Sequence, residues 1–327
     1  MLWLVGVLAC GGGAVASAPP QTSAELPEPV VELPPPPPEP VVEPLPTEGP
    51  FRRELAAGLV VGAYAPPDIP DVGYSRPPAE EVAETDRRIF VVTVDPALHE
   101  LRYLSLLDDA VQPGHKTATE WVEAYGLEVA FNPGMFEPRY EPTGYTRSGA
   151  FVPQTQVRSH RLYRGWFVSG ETMAVIDRVP PPATSGKYSR YSDLPSDVQA
   201  RFDAADLVSQ SLPILRDGKA AYPARKNQWS ELAYGADGEG RLVVVFSRYP
   251  YEMREFGARI AALDLGIDGL IHGEGGPEAS LVVRVGGVEL VQMGSYETGF
   301  YDDRNTRLWA LPAVLGVRAR SAKPAVP

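Results

Sequence analysis

The sequence predicts an α+β fold: a mixed, largely antiparallel sheet packed with helices and preceded by a disordered tether rich in proline and glutamate. Three observations predict it. Hairpin signals recur along the second half of the chain, and helical stretches lie between them. Thirteen of the 35 prolines fall between Pro19 and Pro50. With 327 residues, 44% of them hydrophobic, the chain can bury one sizeable core, so one main domain with appended segments is expected.

The chain begins with a short apolar run, MLWLVGVLAC, that ends at the only cysteine, Cys10. Together with the following GGGAVAS, residues 1–18 resemble a bacterial lipoprotein signal whose cysteine is lipidated. The run is too short to span a bilayer. We therefore expect export to the cell envelope and membrane attachment through Cys10. The run lacks Lys or Arg and has Leu8 where a small residue is usual, so a cytosolic chain with an apolar start stays open.

Residues 19–50 are mostly proline and glutamate, a composition typical of an extended polyproline II tether. They carry six glutamates and no Lys or Arg, so they account for half of the formal net charge of -12. The rest of the chain is mildly acidic and has no basic stripe, which argues against nucleic acid as a partner.

A single cysteine also excludes an intrachain disulfide and a cysteine-based zinc site.

After the tether, five irregularly placed prolines predict that residues 51–86 are a lead-in segment without regular structure. The main domain is expected over residues 87–320, followed by a tail at 321–327. The run Ile89–Val94 predicts a buried strand, and LRYLSLL at residues 101–107 is its expected partner.

Helix and turn signals continue through the domain. Thr117 and Glu120 form a capping-box pattern at the start of a short helix, and Gly126 is a suitable end for it. An apolar stripe from Met253 onward, MREFGARIAALDLG, predicts a second helix. Hairpin turns are expected near Asp237 and at the glycine pair in VGGVE.

Four segments, in order, bring a known family into view. Over roughly residues 88–318, the chain resembles the phosphodiester glycosidase family. The segments that carry the resemblance are, in order, VAFNPGMFEPRYEPTGY, LVSQSLPILRDGK, YGADGEGRLVVVFS and ARIAALDLGIDGLIHGEGGPEASLVV. The resemblance implies an exported hydrolase that cleaves the bond between a sugar anomeric carbon and a phosphodiester. It also implies a cleft whose substrate-binding residues are Asn132, Gly134, Phe136, Gln210, Ser211, Gly275 and Gly276, with Glu274 beside them.

The chain departs from the family at several of these positions. Glu274 stands where an Asp precedes the paired glycines, and Glu278 stands where a small or hydroxyl residue is usual. Leu212 replaces a glycine. Glu231 replaces an arginine that is the natural partner of a phosphate, and a glutamate there repels an anion. Arg139, Arg147 and Arg284 are candidates for a compensating positive charge.

Glycosyl cleavage commonly uses two carboxyl groups at fixed separation, so the candidate catalytic residues are Glu274 and Glu278. Asp302 or Asp303 could also supply the second carboxylate. The structural alternatives are a turn residue for Glu278 and a backbone-satisfying residue for Asn132.

A metal site and two other functions complete the hypotheses. His272 and Glu274 lie two residues apart and share one face of a regular strand, but two ligands do not make a metal site, so none is assigned and no cofactor is indicated. The leading hypothesis is a phosphodiester glycosidase-like hydrolase whose ligand is a sugar phosphate or glycan. The alternatives are a catalytically degenerate, glycan-binding envelope lipoprotein and an envelope spacer in which the tether matters most.

Overall fold

The computed structural model describes residues 43–68, 84–108, 110–176, 179, 186–297 and 303–320. The expected signal with Cys10, most of the tether and the tail at 321–327 lie outside these described residues. Within them, no helix is long and apolar enough to cross a membrane.

Short runs of β-branched and aromatic residues form most of the regular structure. In chain order the strands are β1 (Phe51–Ala56), β2 (Leu59–Tyr64), β3 (Ile89–Val94), β4 (His99–Ser105), β5 (Lys116–Thr117), β6 (Val129–Phe131), β7 (Thr146–Ser148), β8 (Phe151–Gln154), β9 (Gln156–Arg158), β10 (Gly165–Ser169), β11 (Met173–Ile176), β12 (Tyr188–Arg190), β13 (Leu207–Ser211), β14 (Pro213–Arg216), β15 (Lys219–Ala220), β16 (Trp229–Asp237), β17 (Leu242–Tyr251), β18 (Ile267–Gly275), β19 (Ser280–Val285), β20 (Val288–Met293), β21 (Ala310–Leu311) and β22 (Ala313–Ala319). The helices are α1 (Glu84–Arg87), α2 (Ala118–Tyr125), α3 (Ser196–Asp203) and α4 (Met253–Ala262).

The strands form three large sheets, and each strand pair within the described residues is antiparallel. The first sheet has eight strands in the order β1-β2-β3-β17-β16-β18-β14-β15. Two five-stranded sheets have the orders β11-β10-β13-β7-β8 and β20-β19-β6-β22-β4. Two short ribbons, β9 with β12 and β5 with β21, complete the pairing.

The predicted α+β class with a mixed sheet was wrong. Strands hold 46% of the structure and helices 14%, so the protein is β-rich and its sheets are antiparallel. The middle of the chain explains the difference, because β7 to β12 are strands of only three to five residues. Runs that short carry too little periodicity to reveal how much of the chain is strand.

The eight-stranded sheet is buried on both faces. On one face, Val244 belongs to a cluster with Phe131, Phe167 and Leu281 of the two five-stranded sheets. On the other face, Phe256 of α4 packs in a second apolar cluster on the same sheet. This burial explains the continuous apolar run LVVVF in β17, where a one-sided sheet would show alternation.

The two remaining helices of eight residues cover the outer faces of the five-stranded sheets. Trp121 of α2 is fully buried in a cluster with Ala130 and Val314. Phe202 of α3 packs against Trp166 with the two rings tilted, and 4.7 Å separates the ring centroids. The predicted capping box of α2 is confirmed: Thr117 and Glu120 bond reciprocally.

The beginning of the domain differs from the expectation. Residues 51–64, for which the prolines predicted an irregular lead-in, form the hairpin β1–β2, and β2 pairs along its whole length with β3. The expected pairing of residues 101–107 with β3 was also wrong, because β4 pairs with β22 near the end of the described chain. Strand partners that lie far apart in the sequence leave no local signal.

Two arginines hold the last residues of the expected tether. The Arg88 guanidinium donates to the carbonyl oxygens of Pro46 and Gly49 at 3.3 and 3.0 Å. Arg53 donates to the carbonyl oxygen of Glu43 at 2.7 Å. Residues 43–50 are therefore attached to β1 and to the residue directly before β3.

Gly235 of β16 provides a test of how closely the central strands approach. A Cβ added there would meet the Gly269 carbonyl oxygen inside van der Waals contact and Leu270 Cα at 2.9 Å. Both neighbours are backbone atoms of β18, so we expect Gly235→Ala to lower the free energy of unfolding by about 3 kcal/mol, measured in urea.

The matched control is Gly170→Ala, because nothing lies within 4 Å of a Cβ added there. We expect that variant to change the free energy of unfolding by less than about 1 kcal/mol. Equal stabilities for the two variants would contradict the close approach of β16 and β18.

Candidate functional site

The loop after β6 packs directly on the backbone of β18. A Cβ added at Gly273 would lie 3.0 Å from the Asn132 carbonyl oxygen, and one added at Gly134 would lie 3.9 Å from the Gly273 carbonyl oxygen. The Tyr234 hydroxyl fixes this loop by donating to the Pro133 carbonyl oxygen at 2.7 Å. The two glycine-bearing loops singled out in the sequence are therefore neighbours.

A narrow hollow opens beside this loop. Its volume is about 20 Å³, which is room for about one water molecule. Neither Glu274 nor Glu278 is among the described residues that line it. Five of the residues singled out in the sequence line it: Asn132, Gly134, Phe136, Gln210 and Ser211. A sugar ring does not fit this hollow as it stands.

Gln210 uses its whole side chain to hold other segments. Its Oε1 accepts from the backbone N–H groups of Tyr145 and Arg158 at 3.2 and 2.8 Å. Its Nε2 donates to the carbonyl oxygens of Arg158 and Tyr163 at 3.0 and 2.8 Å. All four hydrogen-bonding positions of the amide are filled, so Gln210 positions the backbone around the site.

The side chains of Asn132 and Ser211 are also hydrogen-bonded to backbone groups. The Ser280 N–H donates to Asn132 Oδ1 at 2.7 Å, which joins the end of β6 to the start of β19. The Ser211 hydroxyl donates to the His272 carbonyl oxygen at 2.7 Å, which joins β13 to β18. Both side chains are buried, and these bonds keep β18 in place.

Glu274 lies near the end of β18, beyond a bulge. The register pairs Leu232 of β16 with Glu274 and the adjacent Ala233 with His272, so Gly273 is an extra residue. A bulge interrupts strict alternation, which removes the basis for expecting His272 and Glu274 on one face of a regular strand. Glu274 as a whole residue is partly buried.

Burial raises the pKa of Glu274 from its ordinary value of 4.5 to about 7. The charge of His272 and the N–H of Gly275, which donates to Oε1 at 3.1 Å, act in the opposite direction. The negative charges of Glu278 and Glu231 add to the rise. A carboxyl group with this pKa can both give and take a proton near neutral pH.

Glu231 and His272 form a fully buried pair, with 3.2 Å between Oε2 and Nδ1. Burial alone would lower the pKa of His272, but the neighbouring carboxylates of Glu231 and Glu274 raise it overall. Burial raises the pKa of Glu231 as well, against the effect of His272. Glu231, which stands at the family's arginine position, is thus enclosed against an imidazole and does not face solvent.

Gly275 is the last residue of β18, and Gly276 and Glu278 begin and end the 3-10 turn that follows, Gly276–Glu278. The Trp229 indole covers the face of Gly275 on which a side chain would stand. Burial raises the pKa of Glu278, and the charge of Glu297 adds to it. The Asn305 amide donates to the carbonyl oxygens of Pro277 and Gly294 at 3.4 and 2.7 Å, which holds the turn in place.

The other candidate carboxylates and arginines are engaged elsewhere or lie at the surface. Asp303 pairs with Arg248, and Asp302 lies outside the described residues. Arg147 donates to the Ala205 carbonyl oxygen at 2.8 Å. Arg284 pairs with Glu123 at 2.7 Å and with Glu289. Arg139 is exposed.

Sequence reasoning missed Tyr163 and Arg158. Burial raises the pKa of the Tyr163 hydroxyl, and the charge of Glu274 contributes to the rise. The Arg158 guanidinium stacks 5.3 Å from the centre of the Tyr163 ring and pairs with Glu137 at 3.0 Å. The signal was available, since RSHRLYR concentrates three arginines in an acidic chain.

Metal-binding groups do not gather in the part of the chain that the structure describes: no three His, Cys, Asp or Glu side chains are placed to share an ion.

Comparisons with solved structures show the fold. A hypothetical protein from Synechocystis matches with a TM-score of 0.50 and 14% identity, covering 84% of this chain and 64% of that one. The catalytic domain of zebrafish N-acetylglucosamine-1-phosphodiester alpha-N-acetylglucosaminidase, auto-inhibited by its pro-peptide, matches with a TM-score of 0.52 and 13% identity, covering 83% of this chain and 88% of that one. No protein-family model and no curated protein sequence matches the chain. The fold is distantly similar to that of a phosphodiester glycosidase.

The raised pKa of Glu274 implies that the free energy of unfolding depends on pH. Since the folded protein holds this proton up to about pH 7 and the unfolded chain releases it near 4.5, stability is lost as the pH rises between these values. We expect Glu274→Gln to be more stable than the parent by about 2 kcal/mol at about pH 8, and to differ little at about pH 4. Urea unfolding at both pH values measures it.

The control is Glu171→Gln, which removes an exposed carboxylate. It should leave the pH dependence of unfolding unchanged. If Glu274→Gln follows the parent across the whole range, the Glu274 carboxyl is not held protonated by burial.

Proposed function

We propose that the protein hydrolyses the bond between a sugar anomeric carbon and a phosphodiester, with Glu274 as the proton donor. One observation carries this proposal: Glu274 lies beyond a bulge, one residue before the end of a buried strand, is only partly buried as a residue, and has a pKa of about 7. The distant similarity of the fold to a phosphodiester glycosidase catalytic domain supports the same reaction class.

Two carboxyl groups divide the chemistry. Glu274 donates its proton to the leaving phosphate oxygen while the bond to the anomeric carbon breaks. Water adds to that carbon, and its proton passes to the Glu278 carboxylate. The charge of Glu278 contributes to the high pKa of Glu274. This is expected of an acid–base pair in which one carboxyl group holds its proton while the other is ionised.

The replacement of the family's arginine by Glu231 is compatible with this mechanism. Glu231 is fully buried and its nearest ionisable partner is His272, whose pKa is raised. A protonated His272 neutralises the glutamate, so the pair presents little net negative charge to an anionic substrate. The pair also bears on Glu274, because His272 and Glu231 shift its pKa in opposite directions.

A glycan-binding module without catalysis is the second candidate, and an exposed aromatic group favours it. Tyr140 is 37% exposed, and its ring lies 6.4 Å from that of Phe136 and 5.3 Å from that of His115. Phe136 and Tyr140 line the narrow hollow, and a sugar can stack on the exposed Tyr140 ring without entering it.

Hydrolysis of a panel of sugar 1-phosphodiesters, including N-acetylglucosamine 1-phosphodiesters, tests the proposed reaction. We expect kcat/KM to fall as the pH rises through about 7, since Glu274 loses its proton there. Glu274→Gln should lower kcat/KM by about 100-fold or more. Product formation with the purified full-length chain is the measurement.

The same Glu171→Gln control should keep full activity. Turnover by Glu274→Gln equal to that of the parent would remove Glu274 from the reaction. Absence of turnover on the whole panel, together with saturable glycan binding, would replace the hydrolase by the binding module.

We also propose that the protein is an exported lipoprotein of the cell envelope, held in the membrane through Cys10. The support is the apolar run that ends at Cys10 and the proline-rich tether after it. Cys10→Ser should move the protein from the membrane fraction to the soluble one, measured by fractionation. Retention of Cys10→Ser in the membrane fraction would contradict the lipid anchor.

A further inference from the structure

A second and much larger hollow lies beside the start of α4, on the side of the main sheet that this helix covers. Its volume is about 440 Å³, within the usual range for a small-molecule site. Three arginines line it, Arg161, Arg164 and Arg254, together with Tyr222 and Pro223. No function considered so far uses it.

The two segments that contribute most of the lining of this hollow are rich in basic residues, although the chain as a whole is acidic. Residues 158–164, RSHRLYR, contain three arginines and no acid. Residues 216–226, RDGKAAYPARK, contain four basic residues and one aspartate. Because the whole chain carries a formal net charge of -12, this concentration of positive charge is not a property of the general composition.

The three guanidinium groups are exposed and have no ion-pair or hydrogen-bond partner within the described residues. Other arginines of the domain do: Arg259 pairs with Glu255 at 2.8 Å, and Arg158 pairs with Glu137. The donors that line the hollow are therefore available to a ligand.

The nearest acid at the helix start does not cancel this charge. Glu252 is fully buried, and its carboxylate accepts from the N–H groups of Arg225 at 2.8 Å, Arg254 at 3.0 Å and Glu255 at 3.1 Å. Glu252 therefore caps α4 and ties the segment with Tyr222 and Pro223 to the helix, and the side-chain charge of Arg254 stays unbalanced.

We infer that this hollow binds a phosphate group carried by a small ligand. Arginine forks match the oxygens of phosphate with paired hydrogen bonds, and three such forks surround one space. The volume of about 440 Å³ exceeds what a bare phosphate fills, so the remaining space and the Tyr222 ring receive the rest of the ligand. A phosphate monoester of sugar size fits this description.

The hollow is connected to the surroundings of Glu274 through one segment. Tyr163 lies between two residues of its lining, Leu162 and Arg164, and the charge of Glu274 acts on the Tyr163 hydroxyl. Gln210 fixes the same segment by bonding to the carbonyl oxygens of Arg158 and Tyr163. The inference does not depend on the proposed hydrolysis, because it is made from groups that take no part in it.

Calorimetric titration of the full-length chain tests this site, with glucose 1-phosphate and inorganic phosphate as separate probes. We expect saturable binding of both, with the ester bound more tightly. Arg161→Gln and Arg164→Gln should each weaken binding of the ester by about tenfold, as expected for loss of one charge-assisted pair. Tighter binding of inorganic phosphate than of the ester would overturn the assignment to a ligand-borne phosphate.

Arg201→Gln is the matched control, since Arg201 is also an exposed arginine but lies on α3. It should bind both probes as the parent does. Absence of saturable binding, or an equal weakening in Arg201→Gln, would overturn the site. Unfolding midpoints should be unchanged in all three variants because the side chains are exposed. Glu274→Gln should bind the ester normally, which separates failure of this site from failure of the proposed hydrolysis.

Discussion

Tyr234 occupies the place where the three large sheets meet. Its ring lies 5.4 Å from that of Phe131 and 5.1 Å from that of Phe167, which belong to different five-stranded sheets. Its hydroxyl bonds to Pro133 at the start of the loop beside β18. One buried side chain thus combines the apolar contact between layers with the polar contact that places the loop. The position of every candidate residue on that loop follows from it.

The candidate site contains several glutamates, and this is compatible with an anionic ligand because the glutamates lie at different depths below the surface. Glu231 is enclosed with His272, while Glu274 stands nearer the solvent with its proton retained by burial. Two glutamates that look repulsive in the sequence therefore contribute little net negative charge near neutral pH. The effect of these glutamates on a bound phosphate depends on their position relative to solvent, and the residue type alone does not reveal that position.

The sequence predicted those features that depend on near neighbours along the chain. The capping box of α2 and the left-handed Gly126 at its end required only residues close to one another. The partner of β4 and the bulge at Gly273 depend on strands brought together by the whole fold. The likeness of the Asn132 loop to a known family predicted that this loop lies near the glycines of β18, and it does. The likeness gave no sign that the amides of Asn132 and Gln210 bond to backbone groups.

The attachment of residues 43–50 has a mechanical consequence. Arg88 and Arg53 clamp this segment to the backbone next to β3 and in β1. A pull transmitted from the N-terminal side would load these guanidinium bonds first and then the β1–β2 edge of the main sheet. The force would reach β16 and β18 only through β3 and β17, so the β1–β2 hairpin and β3 would be loaded before the strand that carries Glu274.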